Sequence, residues 1–147
     1  MKYFTSEWWG TGCEDESVFE KYQEYYSSIL SQLPQQLRTL DSKYTLHDSN
    51  VKSIHNDFIK NEVTIKLRGW DQAFNTPMAY EIKFIDVKEF KQVLPQDDEV
   101  ESELGDLGYW EYEILNKNIE MRILFASSAQ FNIVFKDFEF KNEPINE

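Results

Sequence analysis

Apolar residues follow two different rhythms along this chain, and the change between them falls at Leu46-His47-Asp48-Ser49. Before that tetrapeptide, Phe19, Tyr22, Tyr26, Ile29 and Leu33 step by three and four residues, the spacing of one face of an α-helix. Ser17-Val18-Phe19-Glu20 fits a capping box, and Glu14, Asp15 and Glu16 suit the positive end of a helix dipole. Pro34 has no amide hydrogen, and its ring crowds the carbonyl of Leu30. The spacing therefore predicts a kink near Pro34, or a short second helix from Pro34 that carries Leu37 and Leu40 and ends at Asp41-Ser42-Lys43.

After the tetrapeptide the period drops to two. Val51 to Ile54 reads as a short strand closed by Asn56-Asp57. Val63, Ile65 and Leu67 alternate with Thr64, Lys66 and Arg68 up to Gly69, and a loop follows from Asp71 to Pro77. Tyr80, Ile82 and Phe84 form the next alternation, and Phe90, Val93 and Leu94 suggest a helical turn or an irregular edge before Pro95. Trp110, Tyr112 and Ile114 alternate with Glu111 and Glu113. Asn116-Lys117-Asn118 turns the chain into Ile119, Met121, Ile123 and Phe125, with Glu120 and Arg122 expected to face outward. Phe131, Ile133 and Phe135 lead the last strand toward Phe138 and Phe140.

The pattern predicts an α+β fold in which an N-terminal helical arm packs on one face of a mostly antiparallel sheet of about six strands in meander order. Residues 1–45 form the arm, 46–141 the sheet and 142–147 a frayed tail.

Composition narrows the function classes. At 147 residues the chain fits one domain, and 11 Phe, 8 Tyr and 4 Trp supply material for a sizeable core. A single cysteine, Cys13, suits a reducing cytoplasm, and the opening Met1-Lys2-Tyr3-Phe4-Thr5 lacks the apolar region of a signal peptide. No apolar stretch approaches the roughly 18 residues of a membrane span. The net charge of −12 opposes nucleic acid and anionic membranes; it leaves a basic partner protein, a cation or a neutral ligand allowed, and its plainest reading is solubility.

Candidate chemistry is sparse. His47 beside Asp48 has the composition of a base, ligand or pH switch, although neighbours in extended chain point apart. The plainer reading is a strand-entry turn with His47 at its rim. His55 is the other histidine, and a metal site using both would need carboxylates from distant strands. Cys13 has no local base or oxyanion hole, and no phosphate-binding glycine loop or GxSxG turn occurs. No cofactor is expected. Trp8 and Trp9 are adjacent and point apart, so one of the two is expected to be buried. Trp110 reads as core, whereas Trp70, placed in a loop after Gly69, is a candidate exposed anchor for a carbohydrate or peptide. Asp97, Asp98, Glu99, Glu101, Glu103 and Asp106 form an acidic surface without the spacing of a calcium loop.

Lys2-Tyr3-Phe4-Thr5, Leu46-His47-Asp48 leading into a strand, and the aromatic run Tyr109 to Ile114 together resemble a bacterial family known only as a domain of unknown function. The resemblance spans most of the chain and implies no activity or catalytic residue. Similar Leu-His-Asp elements in toxin-neutralising immunity proteins provide an analogy for a non-enzymatic inhibitor. The expectation is thus a cytoplasmic binding protein that meets a basic partner. The alternatives are a small enzyme or metal-binding protein using His47 and Asp48, and a tryptophan-based carbohydrate or peptide binder.

Overall fold

The computed structural model describes residues 1–94 and 103–146. Three helices, α1 (Ser6–Gly10), α2 (Ser17–Ile29) and α3 (Gln35–Lys43), precede eight strands among these residues. The strands are β1 (Asn50–Asp57), β2 (Glu62–Trp70), β3 (Pro77–Ile85), β4 (Glu89–Val93), β5 (Leu107–Leu115), β6 (Asn118–Phe125), β7 (Gln130–Phe135) and β8 (Asp137–Pro144). All pairings are antiparallel, which bears out the α+β class with antiparallel strands.

The expected six-strand meander is corrected to two four-stranded sheets, ordered β1-β2-β3-β8 and β4-β7-β6-β5. The chain changes sheets at Lys136, which alone separates Phe135 of β7 from Asp137 of β8. Phe138 then pairs with Phe84, and Phe84 meets Phe135 across the core at a ring separation of 4.9 Å. Alternation fixes which side chains point inward: Val63, Ile65 and Leu67 of β2, Tyr80, Ile82 and Phe84 of β3, and Phe131, Ile133 and Phe135 of β7 are all buried. They join Ile29, Leu33, Leu37 and Leu40 in one hydrophobic cluster.

The helical arm begins differently from the expected capping box. Glu16 stands at the N-cap without a side-chain cap bond, and Ser17, the first helical residue, gives both its amide, at 3.1 Å, and its hydroxyl to the Asp15 carboxylate. At Pro34 the helix is broken rather than kinked. A 3₁₀ turn spans Leu30–Gln32, Leu33 and Pro34 are extended, and α3 starts at Gln35.

Within the arm, α2 and α3 reach two strand edges. The Tyr22 and Tyr25 hydroxyls of α2 accept from the Tyr112 and Ile114 amides of β5 at 2.9 and 3.0 Å. The Gln36 side chain accepts from the Phe140 amide of β8 at 2.7 Å. Side chains thus satisfy edge donors that another strand would otherwise take.

Four further expectations need correction. Of the two alternatives for Phe90 and Val93 the helical turn fails and the edge holds: they belong to β4, an edge strand paired with β7. Residues 142–144 are not frayed, because Asn142, Glu143 and Pro144 pair with Tyr80, Ala79 and Met78. Trp70 closes β2 opposite Pro77 instead of standing in a loop, and it is half-buried. Arg122 does not face solvent: its side of β5 and β6 is covered by the N-terminal segment, and Arg122 is buried there with Glu111.

Candidate functional site

Leu46 to Ser49 forms a turn held to the start of β5. The Asp48 amide donates to the Leu107 carbonyl and the Leu107 amide to the Ser49 carbonyl, each at 2.8 Å, and the Ser49 amide closes on the Leu46 carbonyl at 3.1 Å. Asp48 adopts a left-handed φ of 63°. That backbone conformation folds its side chain back, so Asp48 Oδ1 lies 3.5 Å from His47 Nε2. The expectation that the two neighbours point apart is therefore overturned, while the reading of the segment as a strand-entry turn with a half-buried His47 agrees with the structure.

The imidazole has one committed nitrogen. Nδ1–H donates to the Gly108 carbonyl at 2.6 Å, which leaves Nε2 toward Asp48. Tyr109 packs against the ring at 5.6 Å between centroids and is itself surrounded by Phe4, Trp8 and Trp9. Its hydroxyl lies 3.5 Å from Cys13 Sγ. Burial, reinforced by the contact with Cys13, pushes the Tyr109 phenol up to about 12, so it stays protonated near neutrality. Gly108 is required here: a Cβ at this position would lie 2.3 Å from the Trp9 ring. Of the adjacent tryptophans, Trp8 is buried and Trp9 only partly so, as their opposed directions imply.

Other sequence candidates lie elsewhere. His55 is exposed on β1 opposite Thr64, near the far hairpin, and does not join His47. Among the described residues no group of three or more His, Cys, Asp or Glu side chains is placed to hold a metal ion. Glu103 and Asp106 are exposed, and Asp106 accepts from the Asn50 side chain. Asp97, Asp98, Glu99 and Glu101 lie outside the described residues. Among the described residues no helix is long and apolar enough to cross a membrane.

Two carboxylates that the sequence pattern did not single out, Asp41 and Glu111, each gather several hydrogen-bond donors. Asp41 of α3 accepts from Tyr26 Oη at 2.9 Å, Trp110 Nε1 at 3.0 Å and Tyr112 Oη at 3.3 Å. Burial raises its pKa to about 6, against the opposing pull of the Trp110, Tyr26 and Tyr112 hydrogen bonds. Part of the residue still reaches the surface, at the edge of a cavity of about 270 Å³ lined by Phe4, Tyr22, Gln23, Tyr26, Trp110 and Tyr112. Such a carboxyl changes charge near neutral pH while it ties both helices to β5. The available signal was its place four residues after Leu37, on the inward stripe of the helix.

Glu111 is fully buried. It accepts from Arg122 Nε at 2.9 Å and from the backbone amides of Lys2, Tyr3 and Phe4, so it anchors the N-terminal segment to β5. Arg122 Nη1 also binds Glu113 and Glu120 at 2.6 and 2.7 Å. Burial alone would lower the Arg122 pKa, but the Glu113 hydrogen bond and the surrounding carboxylates outweigh it and hold the group charged.

With this geometry in view, residues 5–135 match a family described as protein of unknown function (DUF4085), and the chain belongs to that family. No match to the chain is found among curated proteins.

Proposed function

We propose that this member of the family is a non-catalytic binding protein that engages a basic partner, in the manner of an immunity-type inhibitor. The observation that carries the reading is the segregation of its charge. Glu14 to Glu24 holds five carboxylates against Lys21 alone, and Asp97 to Asp106 holds six carboxylates and no base. Together they account for ten of the twelve excess negative charges. Glu14, Glu16, Glu20, Glu24 and Glu103 are exposed, and none has a cation within ion-pair distance among the described residues. Unpaired like charges of this kind steer a cationic surface and set its approach more than they add contact energy.

Chemistry at His47 and Asp48 is the second reading, favoured by their 3.5 Å approach. A tryptophan-based carbohydrate site has less support, because Trp8 is buried and Trp70 half-buried.

Fluorescence anisotropy with a labelled lysine-rich peptide tests the leading proposal. Binding is expected to weaken at least about tenfold between roughly 0.05 and 0.5 M salt, since exposed charges are screened over that range. The Glu14→Lys/Glu16→Lys/Glu24→Lys variant and an Asp97→Asn/Asp98→Asn/Glu99→Gln/Glu101→Gln variant should each reduce it further. Salt-insensitive binding, or full affinity in both variants, would refute the electrostatic role.

A further inference from the structure

The outward face of the first sheet carries a positive hollow within a strongly acidic molecule. On this face Arg68 of β2 lies opposite Ala79 of β3, and in the adjacent row Lys66, Glu81 and Lys141 stand side by side on β2, β3 and β8. Ala79 has only a methyl group where its neighbours carry long side chains, which leaves a depression of about 680 Å³. Lys52 completes the rim because of a β-bulge. The register passes from Val51 opposite Leu67 to Ser53 opposite Lys66, and the extra residue, Lys52, is re-aimed to line the hollow.

Four cations therefore surround Ala79, with two carboxylates, Glu81 and Glu143, among the lining residues. Glu81 is shared by Lys66 at 3.9 Å and Lys141 at 3.8 Å, long solvent-exposed pairs that hold their partners weakly. Arg68 is oriented from the other side by the Trp70 ring, 5.8 Å from the guanidinium carbon. The lysine and arginine stems add apolar walls beside the Ala79 methyl.

We propose that this hollow binds a small organic anion, a molecule with a carboxylate or phosphate group on a compact apolar body. The volume lies in the range of small-molecule sites. The charge is opposite to that of the rest of the protein, so the hollow and the acidic segments serve different partners. The anionic group meets Lys52, Lys66 and Lys141, and the body rests on Ala79. Lysines whose carboxylate pairing is long exchange Glu81 for the ligand without first breaking a strong bond.

The test is an amide chemical-shift titration of the full chain with citrate and, separately, inorganic phosphate, against sodium chloride at matched ionic strength. Citrate reports a carboxylate ligand and phosphate a phosphoryl ligand. At least one probe should give saturable shifts confined to residues 52, 66–68, 79–81 and 141–143. Ala79→Tyr fills the hollow from a half-buried position on the outward face of β3 and should abolish them with the core resonances unmoved. Lys66→Gln and Lys141→Gln should each weaken binding roughly threefold to tenfold, the loss of one charge-assisted contact. Absence of saturable shifts with both probes, shifts reproduced by chloride, or undiminished binding by all three variants would overturn the site. So would shifts at these residues that grow with protein concentration alone, which would assign the hollow to a second copy of the chain.

Discussion

Glu111→Ala is expected to lower folding stability by about 3–5 kcal/mol, the usual result of removing one partner of a buried ion pair. The carboxylate has no exposure to water and serves four donors, the Arg122 Nε and three consecutive backbone amides. Its loss strands these donors under the N-terminal segment. No spare acceptor stands beside Arg122 among the described residues, since its Nη2 donor is already buried without a hydrogen-bond partner. The segment released carries Phe4 and, through α1, Trp8, both buried against Tyr109, so tryptophan emission should shift to the red. At roughly 2–4 °C per kcal/mol for a chain of this size, the midpoint should fall by about 10 °C. Glu111→Gln keeps one acceptor oxygen and should lose less. Thermal denaturation of both variants checks the ordering, and a loss below about 1 kcal/mol for Glu111→Ala would show that the clamp does not hold the segment.

Asp41 makes the molecule sensitive to pH in the opposite sense from an ordinary salt-bridged carboxylate. Burial raises its folded pKa to about 6 from the ordinary aspartate value of 3.8. Between these values the folded protein holds a proton that the unfolded chain has released. The stabilisation is therefore complete below about 4 and is lost as the pH rises through about 6. A rise of that size corresponds to about 3 kcal/mol. Asp41→Asn removes the titration, so its stability relative to the parent should improve by up to about 3 kcal/mol from pH 4 to pH 7, whatever its offset at low pH. Urea denaturation at a series of pH values measures this difference. Parallel curves for the two proteins would mean that Asp41 ionises in the folded state as it does in the unfolded chain.

Both sites show where periodicity stops being informative. Alternation placed Val63, Ile65 and Leu67, and likewise Phe131, Ile133 and Phe135, on the buried side, because a half-buried strand needs one apolar face. It also put Glu111 and Arg122 on the other face of β5 and β6, correctly as to side. What covers that face is a peptide about a hundred residues away in sequence, which no local pattern reveals. The division into two sheets was hidden for a related reason. Phe135 and Phe138 flank a one-residue crossing at Lys136 that reads as an uninterrupted strand, and the partners of β8 and β4 are distant segments. At the His47 turn, the residue types suggested the turn, but only the positive φ of Asp48 brings the carboxylate to the imidazole. Asp41 stood on an inward helical stripe beside a tyrosine-rich helix, and that conjunction of an acid with hydroxyl donors was the legible sign.

The arm that carries Asp41 and much of the acidic surface is an integral part of the strand framework, its side chains occupying edges that a further strand would otherwise extend. Native-state amide exchange tests this directly. The Tyr112, Ile114 and Phe140 amides, capped by Tyr22, Tyr25 and Gln36, should be as protected as interior strand amides, and Tyr22→Phe should release Tyr112 while sparing Phe140. Exchange at all three positions as fast as at an uncovered strand edge would contradict the account, leaving the helices as an appendage.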